Sequence, residues 1–132
     1  MATRVLIVDD ASIVRALIRE ILDQAGSRYE VAGEAENGRT AVARYRELRP
    51  DVVMMDIVMP QMDGIEATRE IVRADPNAVV VMCSAMGQEA LVVESLSAGA
   101  KDFIIKPFTP DRVLQVLGRL AAGDLRATAP PR

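Results

Sequence analysis

The residues best suited to chemistry in this chain are few and carry hard oxygen or nitrogen groups. Asp9 and Asp10 follow the β-branched run Arg4 to Val8, and Asp56 falls near the end of the apolar stretch that starts at Val52. Ser84 follows the apolar run Ala78 to Cys83, and Lys106 stands before Pro107. There is no histidine, so acid–base or metal chemistry falls to carboxylates, lysine, hydroxyls and backbone. Three carboxylates brought together repel one another and need a cation. An all-oxygen set suits a hard ion, and a partial protein shell with room for water and phosphate suits Mg2+ better than Ca2+. With that charge offset, Asp56 can stay ionised and attack phosphorus as a nucleophile, becoming an acyl phosphate. Lys106 and the cation would neutralise the transferred oxygens, and Ser84 would donate a hydrogen bond to one of them.

That chemistry requires the residues to share one place, which depends on the elements carrying them. The stretch Val52 to Val58, between the Arg49-Pro50 break and Pro60, is a continuous apolar run interrupted only by Asp56. It predicts a strand buried on both faces, as in a parallel sheet. Upstream, Arg4 to Val8 predicts a first strand, and Val14, Leu17, Ile18, Ile21, Leu22 and Ala25 recur at helical spacing from Ser12 to a stop at Gly26. Tyr29 to Ala35 alternates as a strand, Asn37-Gly38 breaks it, and Arg39 to Leu48 predicts a second helix ended by Pro50. Asp63-Gly64-Ile65-Glu66 is a capping box, in which Asp63 accepts from the backbone and Glu66 reaches back; the helix it opens closes near Asp75-Pro76.

Ala78 to Cys83 is a fourth strand, Gln88 to Ala98 a helix stopped by Gly99, and Asp102 to Ile105 a fifth strand. Thr109-Pro110 supplies an N-cap and an N1 proline to a last helix that turns Val113, Leu117 and Leu120 inward. Strand and helix thus alternate five times over short connections, predicting a doubly wound α/β fold around a five-stranded parallel sheet. In such sheets ligands bind beyond the carboxyl ends of the strands, where Asp9, Asp10, Asp56, Ser84 and Lys106 all fall.

Composition narrows the function. At 132 residues the chain has the length of one domain, expected over 1–122, and 123–132 has the Pro and Gly content of a flexible tail, either a frayed end or a lead into an output domain. A net charge of −3 argues against nucleic acid as a direct partner, and two Tyr, two Phe and no Trp argue against base or flavin stacking. The lone Cys83 lies in an apolar run and reads as a buried thiol. No segment has the pattern of a signal peptide or membrane span, which predicts a cytoplasmic protein without membrane contact.

Taken together, Asp9-Asp10, Asp56 through Pro60 with Asp63-Gly64, Ser84-Ala85 and Lys106-Pro107-Phe108 resemble the receiver domain of two-component response regulators. The segment Cys83 to Gln88 and the short chain are most similar to the stand-alone chemotaxis members. The similarity runs from about Arg4 to Ala121. It implies a flavodoxin-like sheet in strand order 2-1-3-4-5 and Asp56 as phosphoacceptor from a histidine kinase. It implies that Asp10 and Asp56 hold Mg2+ directly, that Asp9 acts mainly through a water, and that the Val58 carbonyl completes the protein ligands. Ser84 would move to the phosphoryl group, Lys106 would pair with it, and a cis Lys106-Pro107 bond would aim that lysine. The switch aromatic falls on Phe103, which has no phenolic hydroxyl. A flagellar motor switch protein is the implied target, with a phosphatase as a further partner.

Each residue alone has a plainer account: a solvated turn for Asp9-Asp10, a helix cap for Ser84, a surface lysine, a core phenylalanine. Their coincidence at the strand ends favours one shared reaction. The resemblance implies that Val58 and Met86, each two residues beyond a site residue, flank the phosphoryl group at positions that influence how fast water removes it, and since both are apolar here a long-lived acyl phosphate is expected. Ala90, Leu91, Val92, Val93 and Leu96 give the fourth helix more apolar surface than one buried stripe requires, pointing to helix 4, strand 5 and helix 5 as the partner face. Two other classes compete. An Asp-nucleophile phosphohydrolase would carry Asp-x-Asp after its first strand, unlike Asp9-Asp10, and a flavodoxin-like electron carrier would need a Ser/Thr-rich phosphate loop there.

Overall fold

A computed structural model of the protein describes residues 2–121; the tail expected over 123–132 lies outside them, as does residue 122. The strands are β1 (Thr3–Val8), β2 (Tyr29–Ala35), β3 (Val52–Asp56), β4 (Val80–Ser84) and β5 (Asp102–Ile105). Between and after them run α1 (Ser12–Gln24), α2 (Gly38–Leu48), α3 (Gly64–Ala74), α4 (Glu89–Ser97) and α5 (Pro110–Ala121), with a short 3-10 turn at Gly26–Arg28. All strand pairs are parallel and their order is β2-β1-β3-β4-β5. This is the expected doubly wound sheet.

Because successive side chains on a strand point to opposite faces, the central strands feed two separate cores. Leu6, Val8, Val53, Met55 and Met82 pack with Ala41, Ile65, Ile71 and Val92 on the side of α2, α3 and α4. Val5, Ile7, Met54, Val81 and Cys83 pack with Ile18, Leu22, Val113 and Leu117 on the side of α1 and α5. Every residue of β3 and β4 is buried, which explains why those strands read as unbroken apolar runs. Among the described residues no helix is long and apolar enough to cross a membrane.

Several local expectations are corrected. β2 does not alternate throughout: its register with β1 slips between Val5 and Leu6, which pair with Val31 and Gly33, leaving Ala32 as an extra residue. Such a bulge reverses the facing of every residue after it. Tyr29 and Val31 therefore lie with the α1 and α5 core while Ala35 lies with the opposite core. Leu17, placed on the inward stripe of α1, is exposed, because Ile18, Ile21 and Leu22 already fill the contact with the sheet. The capping box at α3 is half made: Asp63 accepts from the Glu66 N–H at 2.8 Å, but the Glu66 carboxylate turns outward to Arg69. β4 begins at Val80 and extends through Ser84, because Ser84 pairs with Ile105 of β5.

Candidate functional site

The carboxyl edge of β1, β3 and β4 brings the sequence candidates together. One carboxylate oxygen from each of Asp9, Asp10 and Asp56 lies within 4.8 Å of the others, with Asp9 and Asp56 buried and Asp10 exposed at the mouth. β1 delivers Asp9, whose Oδ1 accepts from the Ala11 N–H at 2.9 Å and whose own N–H donates to the Ala35 carbonyl at 3.1 Å. β3 delivers Asp56, and the next residue is held on both sides: the Ile57 N–H donates to Cys83 O and its carbonyl accepts from Gly64 N–H. From the far side of the sheet Lys106 extends its ammonium to Asp9 Oδ2 at 3.0 Å and Asp56 Oδ1 at 3.2 Å. The Lys106 N–H donates to Ser84 O at 2.7 Å, and the Lys106-Pro107 peptide is cis.

Ser84 is buried and its hydroxyl oxygen has no hydrogen-bond partner. It does not cap the helix that follows, because α4 begins at Glu89 and its N-cap position is Gln88, four residues on; the Gln88 side chain instead accepts from the Ala85 N–H at 2.8 Å. A buried hydroxyl without a partner costs about 1–3 kcal/mol, which sets Ser84 apart from the other buried polar side chains at this edge. Phe103 is half-buried and lines an apolar groove of about 240 Å³ together with Met86, Val92, Leu96 and Ile105. Val58 and Met86 stand in the loops beyond Asp56 and Ser84 with side chains 57% and 78% exposed. On α4, Val92 is buried and Val93 is 64% exposed, so the excess apolar surface of that helix is carried outward by Val93.

The electrostatics follow from burial. Desolvation first, and the Asp9 charge second, push Asp56 up to about 6, against the pull of Lys106. Burial works to lower Lys106, but its hydrogen bond to Asp9 and the charges of Asp56 and Asp9 hold the ammonium above the ordinary lysine range. Burial drives the Cys83 thiol far above its usual range, which makes it a core residue. The cluster thus holds one cation among three carboxylates. Its donors are all oxygen, two are buried and one is open to solvent, a set that fits a hard divalent ion.

The sequence did not disclose several contacts, one of them beside the site and two away from it. Arg15 donates to the Asp9 carbonyl at 2.6 Å and to Glu34 at 2.8 Å, Tyr45 donates to Asp75 at 2.7 Å, and Arg119 pairs with buried Asp102 at 2.7 Å. No periodicity marks such pairs, because they join residues from different elements.

The doubly wound fold is that of a receiver-type signalling domain, and the chain belongs to the response regulator receiver domain family, whose model matches residues 5–118. Within that family the chain is closely related to chemotaxis regulators. It is 57% identical to Chemotaxis protein CheY of Thermotoga maritima over 92% of this chain and 99% of the relative, and 54% identical to that of Bacillus subtilis over 90% and 98%. A crystal structure of the CheX-CheY-BeF3-Mg2+ complex from Borrelia burgdorferi superposes with a TM-score of 0.83 at 38% identity, covering 89% of this chain and 88% of that one.

Proposed function

We propose that the chain is a phosphorylation-controlled binding module in chemotaxis, which takes a phosphoryl group from a histidine kinase onto Asp56. The observation that carries this reading is the convergence of Asp9, Asp10 and Asp56 on one edge with the Lys106 ammonium between two of them. Asp9, Asp10, Asp56 and the Val58 carbonyl would hold Mg2+, which supplies positive charge against the phosphoryl oxygens and offsets the repulsion among the carboxylates. One Asp56 carboxylate oxygen attacks phosphorus as the P–N bond to the donor imidazole breaks, its electron pair returning to that ring. Lys106 keeps its proton throughout and transfers its hydrogen bonds from carboxylate to phosphoryl oxygen.

The Ser84 hydroxyl gains the acceptor it lacks, and its movement frees space for Phe103 to turn into the adjoining groove. Each charge-assisted hydrogen bond made only in the phosphorylated state contributes about 1.5–3 kcal/mol. A two-state switch from nearly all inactive to nearly all active takes roughly 5 kcal/mol, to which the new Ser84 bond and the pairing of Lys106 with the added phosphoryl charge both contribute. The changed face formed by α4, β5 and α5, where Val93 and Ile105 are exposed, then binds a downstream protein such as a flagellar motor switch component. Apolar Val58 and Met86 leave water without a polar guide, so the acyl phosphate persists until a phosphatase acts. The presence of CheX and Mg2+ with the Borrelia burgdorferi CheY supports both a protein partner and the cation. The receiver unit is 1–122, and the module is a phosphoacceptor and not a turnover enzyme.

Intact mass after incubation with acetyl phosphate tests this. We expect a single labile phosphoryl adduct that requires Mg2+ and is absent from Asp56→Asn; an adduct indifferent to Mg2+ or to Asp56 would sink the proposal.

A further inference from the structure

Arg15 lies on α1, one turn beyond the acidic pair, and its side chain is only 16% exposed. One guanidinium nitrogen, Nη1, donates to the Asp9 carbonyl at 2.6 Å, and Nε donates to Glu34 Oε1 at 2.8 Å. Glu34 is fixed in turn by Arg19, whose guanidinium engages the other carboxylate oxygen. These cations hold the Glu34 carboxyl below its ordinary range, the Arg19 hydrogen bond most of all. An ordinary exposed ion pair between a helix and a strand would contribute about 0–1 kcal/mol and position nothing. Two features separate this arrangement from one. The first is the bulge at Ala32: without that extra residue Glu34 would share a face with Ala32 and Glu30, and it is the reversal of facing that aims Glu34 at α1. The second is the acceptor, a main-chain carbonyl at the point where β1 ends and Asp10 begins.

We infer that Arg15 is a positioning residue for the cation site, fixing the Asp9–Asp10 peptide and thereby the direction in which the Asp10 carboxylate enters the cluster. The inference rests on the proposed cation site at Asp9, Asp10 and Asp56. Asp9 itself is tied down independently, by Ala11 and Lys106 at its carboxylate and by Ala35 at its N–H. Asp10 is exposed and follows directly on the carbonyl that Arg15 holds, so it is the ligand whose aim depends on this contact. Loss of an outer partner that orients a metal-binding group typically costs about ten- to a hundredfold in affinity.

The test is Mn2+ titration of the full chain followed by electron spin resonance, with Mg2+ as competitor, on the natural protein, Arg15→Ala, Glu34→Gln and Tyr45→Phe. Arg15→Ala should weaken Mn2+ binding by roughly tenfold and Glu34→Gln by less. Tyr45→Phe, which loosens the distant tie between α2 and Asp75, should leave the affinity unchanged. Natural affinity in Arg15→Ala, or an equal loss in Tyr45→Phe, would overturn the inference. Should Arg15→Ala not fold, unchanged affinity in Glu34→Gln would overturn it instead. A natural protein that binds no Mn2+ would remove the cation site itself, and with it this role for Arg15.

Discussion

Burial sets Asp56 against its own charge. The carboxyl is pushed up to about 6 by desolvation and then by the Asp9 charge, while an unfolded chain would release that proton near 3.8. Between these values the folded state holds more protons than the unfolded state, so without a divalent ion stability falls as pH rises from about 4 to 6. Asp56→Asn removes that burden and leaves Lys106 paired with Asp9. In urea denaturation of metal-free protein the variant should be more stable than the natural chain by roughly 1–2 kcal/mol at pH 7, with the gain vanishing near pH 4. A gain of the same size at both pH values would show that the buried charge of Asp56 is not its source. Ser84 carries a cost of a different kind, since its buried hydroxyl has no hydrogen-bond partner.

Among the elements, the loop between β3 and α3 is the one that fixes Asp56, and two glycines allow it to close. A Cβ on Gly64 would stand 2.0 Å from the Asp56 carbonyl oxygen, and one on Gly38 would stand 2.3 Å from the Met62 carbonyl oxygen. Both obstacles are backbone atoms and cannot rotate away. The α3 N-terminus therefore abuts the end of β3, held by the Gly64 N–H to Ile57 O bond at 2.7 Å, and α2 clamps the loop through the Gly38 N–H to Met62 O bond at 2.8 Å. Gly64→Ala should cost about 2–3 kcal/mol in thermal unfolding and reduce phosphoryl uptake on Asp56, because the displaced backbone carries Asp56. An undisturbed melting temperature would show that the loop yields without moving β3.

At the scale of the whole molecule the sheet is held between two apolar cores, and its edge strand β5 is tied to α5 by an ion pair between buried Asp102 and half-buried Arg119. Asp102 is buried, its Oδ2 accepts from Arg119 at 2.7 Å, and its Oδ1 accepts from the Phe103 N–H at 2.8 Å. This anchors the residue next to Phe103 while Phe103 itself faces the groove on the other side of the sheet. Removing one partner strands a buried charge, whereas removing both exchanges the pair for apolar contact. Arg119→Met should destabilise the fold by about 2 kcal/mol, and adding Asp102→Leu should recover most of it, both read from urea midpoints. A double variant no more stable than the single one would mean that Asp102 is held by its own strand and not by the pair.

Local physics made much of this legible in advance. Apolar periods of two and of three to four residues gave element types and order, and the bounds of β2 and β5 agree with the sequence reading because Asn37, Gly99 and Lys106 interrupt the pattern there. The residues at the strand ends were named for the same reason, since a carboxylate at the end of an apolar strand is visible in one dimension. The strand order came from resemblance, as periodicity says nothing of which strands are neighbours. Only the tertiary structure decided the bulge that turns Glu34 towards Arg15, the outward facing of Leu17, the orphaned Ser84 hydroxyl and the Asp102–Arg119 and Tyr45–Asp75 pairs. Each depends on what the packing of other elements leaves beside a residue: the chain's local pattern determines where its chemistry can stand, and the packed sheet determines which groups aim it.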